Sequence, residues 1–208
     1  MSEETLWRRI RLPALLYTLM GLALSWPVWL SFGDRVIGHS RSDVWKHLWG
    51  EAWFRESFAS EWPVPLYTTL VGFPDGGLLY NLDPITGALS WALGVLPIVW
   101  VHNLIQVVSL VAGSLGATLL AYRLVERRSM AWVAGAIYGF SAHIQAVALA
   151  SGIGETVHIG GMPWALWALL RILDGVKERS VLTLGLMLAW AALGSWYYGL
   201  VASVACVS

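Results

Sequence analysis

Apolar positions dominate the chain in long runs over residues 12–32, 104–122, 130–148, 159–173 and from 181 onward. A helix rises about 1.5 Å per residue, so roughly 20 apolar residues cross a ~30 Å hydrocarbon core. The first three runs reach that length, the fourth is short, and the last breaks at Gly194-Ser195-Trp196-Tyr197-Tyr198 before resuming. The pattern predicts an all-α polytopic transmembrane helical bundle with about four complete spans and a fifth running into the chain end. Pro27 is expected to kink the first span near its outer end. Ser109, Gly113 and Ala117 in one span, and Ala131, Gly135 and Gly139 in the next, repeat at four-residue spacing, which suits close helix packing.

Residues 33–103 hold no standard span and read as one large outer loop within a single transmembrane domain, 1–208. The loop contains a Pro-rich connection at 62–65, the turn Phe73-Pro74-Asp75-Gly76-Gly77, and Asp83-Pro84, an N-cap followed by a helix-starting proline. The apolar run 85–100 is short and interrupted by Gly94 and Pro97, so it is expected to be an interfacial or re-entrant helix rather than a crossing.

One stretch stands apart. Residues 42–58, SDVWKHLWGEAWFRESF, form two faces on a helix turning about 100° per residue. Val44, Trp45, Leu48, Trp49, Ala52 and Trp53 make an apolar face rich in tryptophan, while Asp43, His47, Gly50 and Glu51 line the other. Indole rings favour the headgroup level, so an amphipathic helix lying at the membrane surface is expected. Two readings of the polar row compete: a functional set held away from lipid, or the solvated side of an interfacial helix with Asp43 answering the helix dipole.

Composition decides the class. With 57% hydrophobic and only 12% charged residues, the chain is too apolar for an ordinary soluble domain of 208 residues. A net charge of zero offers no basic surface for nucleic acid, and the single cysteine, Cys206, can form no intrachain disulfide. Arg8, Arg9, Arg11, Arg123, Arg127, Arg128, Arg171, Lys177 and Arg179 all fall on one side if the run 85–100 does not cross. The positive-inside rule makes that side cytoplasmic, together with the N-terminus, and makes residues 12–32 a signal anchor. Acidic groups then gather outside, Asp34, Asp43, Glu51, Glu56, Glu61, Asp75, Asp83 and Glu155 among them, with His39, His47, His102, His143 and His158 at or near that face.

Their order along the chain carries a resemblance. An N-in first helix, a large outer loop bearing a carboxylate and surface helices, then spans with short connections, resembles the GT-C superfamily of membrane glycosyltransferases. Ser42 to Trp49 (SDVWKHLW), Phe73 to Gly77 (FPDGG), Phe140-Ser141, Gly154-Glu155 and Ser195 to Tyr198 (SWYY) are similar, in that order, to a bacterial group of these proteins. The resemblance implies transfer of a sugar from a polyprenyl-phosphate-linked donor to an acceptor on the extracytoplasmic side of a bacterial cytoplasmic membrane. It implies an outer-loop acid, mapped onto Asp43 with Glu155 as second carboxylate, acting as general base or metal ligand. His47, His158 and Glu51 would complete a mixed oxygen and nitrogen set for a divalent metal. Lys46, Arg41 and Arg55 could bind a phosphate, or equally attract the anionic headgroups of membrane lipids. Enzymes of this superfamily are longer, so the resemblance also implies that 1–208 is C-terminally truncated.

Plainer roles compete at each position. His158 could cap the short span, Asp75 and Asp83 read first as turn and cap residues, and His102, His143 and Gln145 read as interfacial anchors. The competing class is a non-enzymatic membrane transport or assembly subunit, which requires no paired carboxylates. A transporter is expected to show ionisable groups near the bilayer midplane and symmetry between halves, and the mid-span positions are apolar or small.

Overall fold

A computed structural model describes residues 3–31, 33–60, 67–78, 83–125 and 127–207. The described chain is all-α apart from one hairpin, in which strand β1 (Tyr67–Thr68) pairs antiparallel with β2 (Gly77–Leu78). The turn between them passes through Gly72 and Gly76 at φ +66° and +80°, a left-handed conformation that glycine adopts without strain. The expected Phe73–Gly77 turn is therefore present. The Pro-rich connection at 62–65 lies outside the described residues.

Helix α1 covers Glu3–Leu24 and α2 covers Val44–Ser60. The first run does not continue as a kinked helix to residue 32. It stops at Leu24, and after Pro27 the chain forms a short 3-10 turn, Val28–Ser31. Proline lacks an amide donor and disfavours a helical residue before it, so the chain leaves the helix rather than bending through it.

The run 85–100 divides in two. Helix α3 is Pro84–Ala92, capped by Asp83, whose carboxylate accepts the Thr86 amide. At nine residues it is about 14 Å long, far short of a crossing. Ile98 to Trp100 belong instead to α4, Ile98–Val125, which starts right after Pro97 and ahead of the expected residue 104. α3 lies on α2, where Gly87 has Phe54 so close that a β-carbon would stand 2.3 Å from its ring. Arg55 of α2 fastens the pair by donating to Ser90 Oγ and to the Leu96 carbonyl, each at 2.9 Å.

Helix α5 (Arg128–Phe140) is followed by α6 (Ala142–Ile144) and a π-helical stretch, Gln145–Ala150. Then come α7 (Gly154–Val157), a 3-10 turn (His158–Gly160), α8 (Gly161–Leu173), α9 (Glu178–Gly194) and α10 (Trp196–Val207). The expected break lies at Ser195, between α9 and α10. Among the described residues, two helical stretches are long and apolar enough to cross a membrane, Ile98–Val125 and Arg128–Ala150.

α4 is the central element, packed against α1, α5 and α8. The expected small-residue contact is realised from one side. Gly135 and Gly139 of α5 sit against Ser114, Thr118 and the Leu110 carbonyl of α4, whereas Gly113 of α4 faces Gly160. Tyr17 of α1 closes the joint, donating to the Trp132 carbonyl at 2.8 Å with Thr118 Oγ1 at 2.7 Å. Tyr17, Val107, Leu110, Phe140, Ile144 and Ala148 make the largest apolar cluster, directly below the polar groups at the start of α4.

Candidate functional site

α2 places its polar row in the protein interior, so the solvated-face reading of His47 and Glu51 fails. The buried residues of α2 are Val44, His47, Gly50, Glu51, Phe54 and Ser57, while Trp45 is 54% exposed. His47 and Glu51, one turn apart, are 3% and 2% exposed. They meet polar groups from the first three turns of α4, the cap of α3 and the turn before α8. His102 is no interfacial anchor: it is buried, and its Nδ1 lies 2.6 Å from Glu51 Oε1. Gln106, one turn further along α4, reaches His102 Nε2 at 3.4 Å. Next to it, Asn103 bonds the Ile37 amide and the Arg35 carbonyl, fixing the segment that leads into α2.

Asp83 combines its capping role with a second one. Its Oδ2 lies 3.5 Å from His47 Nδ1, and its Oδ1 lies 3.7 Å from His158 Nε2, all three side chains being buried. His158 is also 2.6 Å from Thr86 Oγ1 through Nε2, and its Nδ1 accepts the Trp190 indole N–H at 2.9 Å. Burial pushes the His158 pKa below its ordinary value; Asp83 opposes that shift and His47 reinforces it. Gly154 joins the two groups. A β-carbon there would stand 3.3 Å from Asp83 Oδ2, 3.4 Å from His47 Nδ1 and 3.6 Å from Gln106 Nε2, so α7 lies in close contact with all three side chains. Both His47 nitrogens, Glu51 Oε2 and Gln106 Oε1 are buried without a hydrogen-bond partner among the described residues.

The remaining sequence candidates stand around this cluster, not in it. Asp43 precedes α2, is exposed, and lies 3.7 Å from Lys46 in an ion pair. Arg41 is exposed, its amide bonded to His39 Nδ1. Glu155 is half-buried and interacts with Tyr198, beside the Thr156–Tyr198 hydrogen bond. The segments bearing Asp43 and Glu155 do pack together, since Ser42 Oγ lies 2.5 Å from the Ser151 carbonyl and Gly152 abuts Gly38 and Val44.

The expected metal set, His47, His158 and Glu51, is divided between two units. Glu51 is engaged by His102 and His158 by Thr86 and Trp190. No group of three or more His, Cys, Asp or Glu among the described residues is arranged to hold a metal ion.

Sequence reasoning missed Asp83, His102, Gln106 and Trp190. The signal available was His102 and Gln106 at i and i+4 in an otherwise apolar run, because polar side chains in such a run are costly and tend to be functional. Comparison with family models, curated proteins and solved structures finds no match. Fold and site together define a mostly helical protein with two candidate spans among the described residues and a buried cluster of carboxylates and imidazoles.

Proposed function

We propose that the protein is a membrane glycosyltransferase of GT-C type, moving a sugar from a polyprenyl-phosphate-linked donor to an acceptor outside the bacterial cytoplasmic membrane. The reading takes the polytopic, N-in arrangement expected from charge placement, with α2 and α3 on the outer side. One observation carries it: a buried carboxylate, Asp83, flanked by two imidazoles at the expected outer end of α4. Glycosyl transfer to a hydroxyl needs a group that takes the proton as the oxygen attacks the anomeric carbon, and carboxylate–imidazole pairs supply one. Asp43, Lys46 and Arg41 line the neighbouring exposed edge of α2, where cations suit the departing lipid phosphate. Two of the three candidate metal ligands, Glu51 and His158, already bond other side chains, and no step is routed through a metal.

Asp83→Asn tests the assignment cleanly, since asparagine caps a helix as well as aspartate but carries no charge. Transfer from polyprenyl-phosphate-linked sugars by vesicle-embedded protein should fall on the order of 10²–10⁴-fold. Asp75→Asn, in the exposed hairpin turn, should leave it unchanged. Loss of transfer in Asp43→Asn with full activity in Asp83→Asn would move the site to the rim of α2. No transfer by the wild type with any such donor would leave the transport or assembly reading, which the buried Glu51–His102 pair at the start of a candidate span also suits.

A further inference from the structure

Three contacts set the direction of α1 against its neighbours. Arg9 lies over the Tyr122 ring, Tyr17 reaches Thr118, and Gly21 rests on Val107, so α1 runs antiparallel to α4. Tyr17 also bonds the Trp132 carbonyl and Gly21 faces Phe140, so α1 and α5 run side by side in the same direction. Between them lies a cleft of about 470 Å³, walled by Leu16, Leu19, Met20 and Ala23 of α1 with Val133 and Ala136 of α5. The polar atoms of its other two lining residues are already satisfied: the Tyr17 hydroxyl bonds Thr118 and the Trp132 carbonyl, and the Trp132 indole donates to Tyr122 at 2.6 Å. An occupant of this cleft must therefore be apolar along its length.

One mouth of the cleft is basic. Arg11 on α1, Arg127 at the cap of α5 and Arg128 at its first residue are exposed, and Arg9 is half-buried. From Arg11 to Ala23, α1 rises about 18 Å. That is close to one leaflet's share of a ~30 Å hydrocarbon core with the start of its headgroup layer. We propose that the cleft holds an acyl chain of an anionic diacyl phospholipid, its phosphate at Arg9, Arg11, Arg127 and Arg128, in the leaflet that meets the N-terminal ends of α1 and α5. Guanidinium forks match phosphate oxygens in charge and shape, and the apolar walls match the chain. This lipid is not the donor of the proposed reaction. Tyr122, at the basic mouth, is about 30 Å along α4 from His102, so a phosphate held by these arginines is remote from the buried carboxylates and imidazoles. Its role is to tie α1 to α5, whether or not the protein transfers sugar.

The test is native mass spectrometry of the full chain, purified in detergent and titrated with palmitoyl-oleoyl phosphatidylglycerol, the matching phosphatidylcholine, or a polyprenyl phosphate. Phosphatidylglycerol should bind on the order of tenfold more tightly than phosphatidylcholine. Arg11→Gln/Arg128→Gln removes two exposed cations at the mouth and should abolish that preference. Arg171→Gln/Lys177→Gln, which removes as much charge away from the cleft, should keep it. Ala136→Phe fills the cleft and should weaken both phospholipids without changing their ratio. The two charge variants decide the matter whether or not Ala136→Phe folds. Equal binding of the two phospholipids by the wild type, equal loss of preference in both charge variants, or tighter binding of the polyprenyl phosphate would overturn the proposal, as would undiminished binding by folded Ala136→Phe.

Discussion

Glu51 Oε1 and His102 Nδ1 stand 2.6 Å apart, and the two side chains, from helices 51 positions apart in sequence, are both almost wholly buried. Removing one partner from such a pair leaves the other buried without its acceptor or its compensating charge. Glu51→Ala should therefore cost about 3–5 kcal/mol. Glu51→Gln keeps an oxygen that accepts from His102 Nδ1 and should cost less, roughly 1–3 kcal/mol. Thermal unfolding of the two variants in one detergent gives the comparison; equal losses would mean the carboxylate charge contributes nothing.

His158 sets a pH dependence whose sign follows from its lowered pKa. The folded state binds fewer protons than the unfolded state, where the ring titrates near 6.5. Its contribution is fully present above about pH 6.5 and is lost progressively as pH falls from there toward the folded-state value. Unfolding temperatures measured downward from pH 7.5 should fall more steeply in the wild type than in His158→Gln. The difference in slope should be at most about 1.4 kcal/mol per pH unit, the limit for one proton. A steeper slope in the variant would reverse the assignment.

Gly154→Ala tests the packing of α7 on the cluster. Its methyl would stand 3.3 Å from Asp83 Oδ2, slightly tight, and in ordinary contact with His47 Nδ1 and Gln106 Nε2, so the cost should be at or below about 1 kcal/mol, the low end for overpacking. The expected result is a fall in unfolding temperature of no more than a few degrees. A loss above about 3 kcal/mol would show that the Asp83 side chain cannot yield.

The proposed topology places the connections after α4 and after α8 in the cytoplasm. Ser129 is exposed and suits cysteine labelling, but Ser180 is 2% exposed, so Glu178 is the better probe beyond α8. Cysteines at 129 and 178 should react only with a reagent that crosses the membrane, and one at Asp75 with an impermeant reagent. Labelling of positions 129 and 178 from outside would sink the N-in arrangement.

Local chemistry was legible where a residue acts on its own backbone. Asp83-Pro84 marked the start of α3, the FPDGG turn marked the hairpin, and Gly194-Ser195 marked the break between the last two helices. Sequence reasoning put His47, Gly50 and Glu51 on one face of α2, as the structure does. It set Val44 on the other face and Asp43 on theirs, whereas Val44 is buried with them and Asp43 is exposed. It also left open where that face points, because periodicity gives the phase of a helix and not its neighbour. His102 was hidden for a related reason. Pro97 reads as an interruption within an interfacial run, and it instead precedes α4, which moves His102 from a loop end into a packed helix. The bond that fixes the tautomer of His158 comes from Trp190, 32 positions further along, and no local pattern encodes that meeting.

Gly194 gives the last two helices a mechanical hold on the site. With no side chain at this position, the end of α9 rests on the His158 ring, where a β-carbon would stand 2.2 Å from the ring's own β-carbon. One turn earlier on α9, Trp190 grips the same ring by a bond that weakens once stretched beyond about 3.2 Å. The His158 ring is thus clamped between the end of α9 and the indole of Trp190. The corner between α9 and α10 acts as a keystone: any side chain at residue 194 would have to push the ring off Trp190 or lift the end of α9 away.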